Sequence, residues 1–254
     1  MVGSITDLST IDYPGLPAMV LFFKACNLKC AYCHNMLLAR DPNMIDNITY
    51  PEVRRRMREQ ANLVQAVVFS GGEPCMTGKH ERASSRVPSI HSLMREAREL
   101  KLKVKLDTNG TYPEELSHMI SMSGVDYVAL DIKTYPCLTN DHYYAPYRRR
   151  DWSSILTTLD VLESARRYPR NNGFKYEVRT TCYPRNIHSN SIRAIAQLLP
   201  AEVPYFLQQY EPIGTRGPTP YSETAMQGFL RTAQEYHPNT YIRGEQNGAN
   251  ERTE

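Results

Sequence analysis

Three of the six cysteines in this 254-residue chain fall within one short loop, Phe23-Lys24-Ala25-Cys26-Asn27-Leu28-Lys29-Cys30-Ala31-Tyr32-Cys33-His34-Asn35. Thiols so close in sequence converge naturally on a metal, and soft sulfur ligands select zinc, copper(I) or iron–sulfur clusters. Four readings compete. A structural zinc site would use Cys26, Cys30, Cys33 and His34, but such sites normally pair two ligand clusters along the chain, and no second Cys-x2-Cys follows. Cys30-Ala31-Tyr32-Cys33-His34 fits covalent c-type haem attachment, a chemistry of exported proteins, whereas nothing here looks like a secretion signal. Buried apolar thiols are common as single residues but not as three in one loop. A [4Fe–4S] cluster on three cysteines is one ligand short of the usual four, which leaves one iron with an open coordination position.

The length suits one domain, because barrel-like α/β domains often run to this size. A hydrophobic fraction of 41% suffices for a sizeable core, and a formal net charge of +3 is too small to imply a nucleic-acid or membrane partner by itself. No apolar run approaches a transmembrane span, so a cytoplasmic protein is expected. Its reducing surroundings suit cluster thiolates better than a disulfide framework.

Residues 1–17 read as an N-terminal hairpin or extended cover that ends at the Pro14-Gly15 turn. Ala18-Met19-Val20-Leu21-Phe22-Phe23 is a continuous apolar run, the pattern of a strand buried on both faces, and it delivers the cysteine loop. A helix over 51–62, opened by Pro51, precedes a second such strand, 64–69, which runs into Ser70-Gly71-Gly72-Glu73-Pro74. Lys79 to Ser89 reads as a polar loop. Helices at 91–101, 113–122, 151–168, 188–199 and 222–236 then alternate with strands at 102–107, 126–132, 175–181 and 205–210. A short β-prone piece follows at 240–243, and a polar, disordered tail is expected over 244–254. Alternation of this kind predicts an α/β fold with mostly parallel strands, and six principal strands predict a partial (β/α)6 barrel occupying residues 1–243.

The two-residue period of a strand puts Lys103, Lys105 and Asp107 on one face, and Lys175, Glu177, Arg179 and Thr181 on one face of the fifth strand. A polar inner face of this sort predicts a wet or ligand-filled lumen. The conspicuous polar residues close strands: Gly71-Gly72-Glu73 the second, Asp107 the third, Asp131 and Lys133 the fourth. Parallel strands bring such ends to one rim, where α/β barrels build active sites. Gly71 and Gly72 permit close backbone approach to a ligand, and Glu73 can accept hydrogen bonds from an ammonium; an ordinary strand-to-loop turn is the alternative. Asp107 before Thr108-Asn109-Gly110 fits a turn residue equally well. Asp131 and Lys133 share a strand face and could be a plain ion pair. Arg179 offers a planar fork to a carboxylate, or a salt bridge to Glu177 or Glu211. Cys75, Cys137 and Cys182 read as buried fillers or incidental thiols. His142 to Arg150 mixes aromatic and basic residues, as single-strand nucleic-acid binders do, but the small net charge favours a surface or docking loop. Arg54-Arg55-Arg56 marks the solvated face of a helix.

Cys-x3-Cys-x2-Cys after an apolar strand, with Tyr32 just before the third cysteine, resembles the radical S-adenosylmethionine (SAM) superfamily. Thr10-Ile11-Asp12-Tyr13-Pro14-Gly15, Cys33-His34-Asn35 and Tyr241-Ile242-Arg243-Gly244 further resemble the activating proteins of anaerobic ribonucleoside-triphosphate reductase, with pyruvate formate-lyase activating enzymes as relatives. The resemblance implies that Cys26, Cys30 and Cys33 hold a [4Fe–4S] cluster and that SAM chelates its open iron. An external donor such as flavodoxin or ferredoxin supplies an electron, and the 5′-deoxyadenosyl radical takes hydrogen from a glycine of a partner glycyl radical enzyme. It further implies cofactor contacts from Tyr32 to the adenine, from Gly71, Gly72 and Glu73 to the amino group, from Asp107, and from Asp131, Lys133, Arg179 and, more loosely, Gln209. No side chain serves as a general acid or base. A radical SAM enzyme of a small molecule or tRNA, and a non-catalytic metal-binding or redox protein, are the alternatives.

Overall fold

The apolar run Ala18–Phe23 cannot leave either face in water. In the computed structural model of the protein it lies within β2 (Leu16–Phe23), which has a neighbouring strand on each side. The structure describes residues 1–76, 79, 89–135, 149–168, 173–214 and 217–243. Cys137, most of the polar stretch 79–89, the tail 244–254 and the Tyr/Arg-rich 142–150 segment lie outside these residues, the last except for the helical backbone at 149–150. Eight strands follow one another in chain order in a single, mostly parallel sheet. The chain divides into two compact units: Met1–Lys29, Asn35–Leu130 and Arg150–Tyr176 form the first, and Cys30–His34, Asp131–Arg149 and Glu177–Glu254 the second.

In the first unit, β1 (Val2–Tyr13) runs antiparallel to β2, which is followed by α1 (Met36–Arg40) and α2 (Tyr50–Gln60). β3 (Ala66–Gly71), α3 (Ile90–Glu99), β4 (Lys103–Thr108), α4 (Pro113–Ser123), β5 (Tyr127–Asp131) and α5 (Arg149–Arg167) come next, and β2 to β5 pair in parallel. Val67, Val68 and Phe69 of β3 are completely buried, and Phe69 stacks on Phe23 at 5.9 Å between centroids. Burial of each such side chain contributes about 1.5–3 kcal/mol. Thr49 caps α2, its hydroxyl accepting from the Glu52 N–H, with Pro51 in the first turn. Gly124 ends α4 in the left-handed conformation. The second unit continues with β6 (Lys175–Cys182), α6 (Ser189–Ala196), β7 (Tyr205–Gln209), α7 (Glu223–Gln234) and β8 (Thr240–Ile242), with β6, β7 and β8 parallel.

The six principal strands expected from the sequence are all present. The N-terminal stretch is more regular than a cover: it is a 12-residue strand. Its neighbour β2 would otherwise present a row of unpaired backbone groups, and the irregular register between Thr6 and Tyr13 accommodates the alternation of Ser, Thr and apolar residues. The polar strand faces are not simply wet. Lys105, whose side chain is 1% exposed, donates to Asp107 at 2.7 Å, and Lys103 leaves in the other direction to Asp126 at 2.8 Å.

The end of β3 is sewn to the exit of β2. Gly72 N–H donates to the Phe23 carbonyl at 2.8 Å and Glu73 N–H to the Ala25 carbonyl at 2.9 Å, while Asn35 Nδ2 donates to the Gly71 carbonyl at 3.1 Å. A Cβ on Gly72 would sit 2.0 Å from the Ala25 oxygen; one on Gly71, whose φ is +105°, would sit 2.4 Å from the Phe23 nitrogen. Ala25 itself adopts a φ of 67°, unfavourable for any residue with a side chain. Gly72→Ala should therefore cost about 2 kcal/mol in urea unfolding. Ala25→Gly should stay within about 1 kcal/mol of the parent. Equal tolerance of both changes would show that the two backbones are not in contact.

Candidate active site

Each unit carries a polar cluster at the ends of its strands. In the first, Glu73 is buried and both carboxylate oxygens are engaged: Oε1 accepts from the Thr108 hydroxyl at 2.8 Å and the Cys75 N–H at 3.0 Å, Oε2 from the Asn109 N–H at 2.7 Å. Burial pushes the Glu73 carboxyl up, and these three hydrogen bonds pull against that. Glu73 thus ties the tip of β3 to the tip of β4. Asp107 is no turn residue. It lies within β4, with Oδ1 held by Lys105 and Oδ2 by the Ser70 hydroxyl at 2.9 Å, while the turn itself is made by Thr108, Asn109 and Gly110. Asn109 reaches the cysteine loop, its amide donating to Asn27 Oδ1 at 3.0 Å and to Cys26 Sγ at 3.8 Å. Leu28 N–H also donates to Cys26 Sγ, at 3.4 Å.

In the second unit, Cys30 is buried, Cys33 partly exposed, and the Cys33 N–H closes a turn onto the Cys30 carbonyl at 3.4 Å. Burial pushes the Cys30 thiol up, opposed by the Lys133 ammonium. Tyr32 is buried between them in sequence, its ring 4.8 Å from that of Tyr183 and its hydroxyl 3.5 Å from the Lys133 carbonyl. Asp131 is gripped by Arg179, with Nε to Oδ1 at 2.8 Å and Nη2 to Oδ2 at 3.2 Å, and touched by Lys133 Nζ at 3.4 Å. Burial opposes ionisation of Asp131, but the two cations win and hold its carboxyl well below the usual carboxylate range.

Gln209 is placed differently from the other candidates. Its amide donates to the Tyr221 carbonyl at 2.9 Å, at the entrance to α7, and it shares a strand face with Tyr205 and Leu207. Gln208 occupies the other face: in the parallel register Arg179 pairs with Phe206 and Thr181 with Gln208. Glu177, which the sequence offers as a salt-bridge partner of Arg179, lies 3.9 Å from it, and forms a 2.7 Å ion pair with Arg243, a partner the sequence does not reveal.

The cysteines fit a cluster by their chemistry. None of the five described cysteines is in a disulfide, and the N–H donors aimed at Cys26 Sγ are those that support a metal-bound thiolate. Among the described residues no three His, Cys, Asp or Glu side chains already stand together as a metal cage, so the ligand set rests on the motif. Cys75 and Cys182 are both completely buried.

Residues 20–177 match the family model of the Radical SAM superfamily, and the chain belongs to that superfamily. Within it the chain groups with activating enzymes. It is 32% identical over 213 residues to a glycyl-radical enzyme activating enzyme of Methanocaldococcus jannaschii, a match covering 84% of this chain and 80% of that protein. It is 28% identical over 139 residues to the pyruvate formate-lyase-activating enzyme of Staphylococcus aureus, covering 51% of each. Streptococcus suis SuiB bound to S-adenosylmethionine shares the fold, with a TM-score of 0.61 at 17% identity over 89% of this chain and 52% of that one. The chain thus spans about half the length of these last two proteins. The cofactors of this enzyme are those of its superfamily, a [4Fe–4S] cluster and SAM. Among the described residues no helix is long and apolar enough to cross a membrane.

The lowered Asp131 pKa fixes a sign. A carboxylate whose native pKa is depressed stabilises the fold above its unfolded pKa of about 4, and that contribution is lost as the pH falls toward the native value. The stability difference between the parent and Asp131→Asn, followed by urea unfolding from pH 7 to pH 3, should shrink on acidification. A difference independent of pH would rule out an ionised Asp131 between Arg179 and Lys133.

Proposed function

We propose that the protein reductively cleaves SAM and places a glycyl radical on a partner enzyme, an anaerobic ribonucleoside-triphosphate reductase, drawing its electron from a flavodoxin or ferredoxin. The observation that carries this reading is the match to a glycyl-radical enzyme activating enzyme over most of both chains. The opening Thr10–Gly15 motif, Cys33-His34-Asn35 and Tyr241-Ile242-Arg243-Gly244 support the reductase as the partner.

Cys26, Cys30 and Cys33 would hold the cluster, which when bound would pass the external donor's electron into reductive cleavage of SAM and so supply the hydrogen-abstracting chemistry directed at the partner's glycine Cα. The chain's own residues bind and orient. The backbone of Tyr32 meets the adenine while its ring stays packed on Tyr183. Because Glu73 already accepts three internal hydrogen bonds, the backbone groups of Gly71 and Gly72 take the larger share of the SAM amino group, and Glu73 holds them in place. Asp107, paired with Lys105 and accepting from the Ser70 hydroxyl, contacts SAM from the end of β4. Lys133, beside Asp131 and Arg179, meets the SAM carboxylate. Gln209 acts by anchoring α7 and not by touching SAM.

Protein reconstituted anaerobically with iron and sulfide, then given reductant and SAM, should form 5′-deoxyadenosine, and with the reductase large subunit it should produce a glycyl radical signal in electron paramagnetic resonance. Cys30→Ala should lose both. A fully loaded cluster that leaves SAM intact would overturn the reading, and SAM cleavage without any radical on the reductase would overturn the choice of partner.

A further inference from the structure

A ring of hydrogen bonds ties the turn after β4 to the first cysteine of the loop. Asn27 Nδ2 donates to the Thr111 hydroxyl at 2.9 Å, that hydroxyl donates to Asn109 Oδ1 at 2.6 Å, and Asn109 Nδ2 donates back to Asn27 Oδ1 at 3.0 Å. The donors follow one another in a single direction, so each bond polarises the next. Asn109 Nδ2 also donates to Cys26 Sγ at 3.8 Å. All four residues belong to the first unit.

The orientation of the Asn109 amide follows from its neighbours. The Thr111 N–H donates to Asn109 Oδ1 at 3.1 Å, and a backbone N–H can only donate, so Oδ1 faces Thr111 and the amide nitrogen faces the sulfur. The backbone N–H of the same residue donates to Glu73 Oε2 at 2.7 Å, which fixes the main chain that carries the amide. Asn109 is 4% exposed, so little water competes for its bond to sulfur. The Leu28 N–H donates to the same sulfur at 3.4 Å, a main-chain bond that side-chain changes leave in place. Asn27 Oδ1 lies 4.0 Å from it, a contact suited to a thiol S–H, which a metal-bound thiolate no longer has.

We propose that Asn109 is a positioning residue for the cluster: its amide holds the Cys26 thiolate by an N–H···S bond and favours the reduced cluster over the oxidised one. Uptake of one electron from the external donor adds one negative charge, shared with the thiolates, and a donor aimed at such a sulfur binds it more strongly as that charge grows. No proton moves and no bond to sulfur breaks. This rests on the reading of Cys26 as a cluster ligand given above. It gives Thr111 and Asn27 the task of holding the amide in place, and one residue then serves both the carboxylate at the tip of β3 and the thiol loop.

The test is the midpoint potential of the cluster in the anaerobic, cluster-loaded full chain, followed by electron paramagnetic resonance of the reduced state. Leaving SAM out separates this readout from any effect that travels through Glu73. Asn109→Ala should shift the equilibrium toward the oxidised cluster about tenfold, the size expected from removing an outer support, which lowers a one-electron potential by about 59 mV. Asn109→Asp keeps the shape, replaces the donor with a carboxylate and should shift it further. Thr111→Val leaves the donor in place but removes the hydroxyl that orients it, and should shift the equilibrium about threefold in the same direction. An unchanged or raised potential in Asn109→Ala, at the iron content of the parent, would overturn the proposal. If Asn109→Ala takes up no iron, Thr111→Val decides, and an unchanged potential there overturns it. Cys26→Ala serves as the reference: a cluster like the parent's in that variant brings down the ligand reading, whereas its loss together with unchanged potentials in the Asn109 variants brings down only the role of Asn109.

Discussion

The join between the end of β3 and the exit of β2 is the constraint on which the rest of the site depends. Two backbone hydrogen bonds, from Gly72 to Phe23 and from Glu73 to Ala25, bring the chains so close that no side chain fits between them. Ala25 is driven into a left-handed conformation just before Cys26. Strain of this kind persists only where surrounding structure enforces it, and here the enforcing contacts lead straight into the thiol loop. The glycines are needed first for this contact between backbones. Any service they give to a ligand comes from the carbonyl and amide groups that the contact holds still.

The charged residues on the strand faces follow a second rule. A charge taken out of water must be paired, and the chain pairs its own: Lys105 with Asp107, Arg179 with Asp131, Arg243 with Glu177. The pairing is what makes the site directional. Asp107 is held by a donor at each oxygen, and Asp131 by a rigid fork, so neither carboxylate swings. A radical reaction gains little from proton-transfer groups. It gains from orientation, and a lattice of fixed charges supplies that.

Much of this could be read from the sequence because it is periodic or locally clustered. The continuous apolar runs became β2 and β3, the Thr49-Tyr50-Pro51 start became a capped helix, and the thiol spacing with Tyr32 led to the correct superfamily. Other features depend on partners distant in sequence. β1 reads as a hairpin or extended cover because Gly3, Asp7 and Asp12 interrupt its strand-favouring residues, yet the open edge of β2 recruits all twelve residues into one strand. α1 has five residues and no side-chain cap, too little for any helical pattern to show. The bonds that hold Glu73 in place could not be read locally, because Thr108 and Asn109 lie more than thirty residues away. Strand alternation alone does not say which face of β7 Gln209 occupies; the pairing of Arg179 with Phe206 and of Cys182 with Gln209 does.

An iron cube held by three thiols leaves its fourth iron for SAM. Mössbauer spectra of the protein reconstituted with 57Fe, recorded before and after SAM is added, test this arrangement. One iron subsite should change its isomer shift on adding SAM while the other three keep theirs. Four irons that respond alike, or a protein that retains zinc and takes up no cluster, would contradict it.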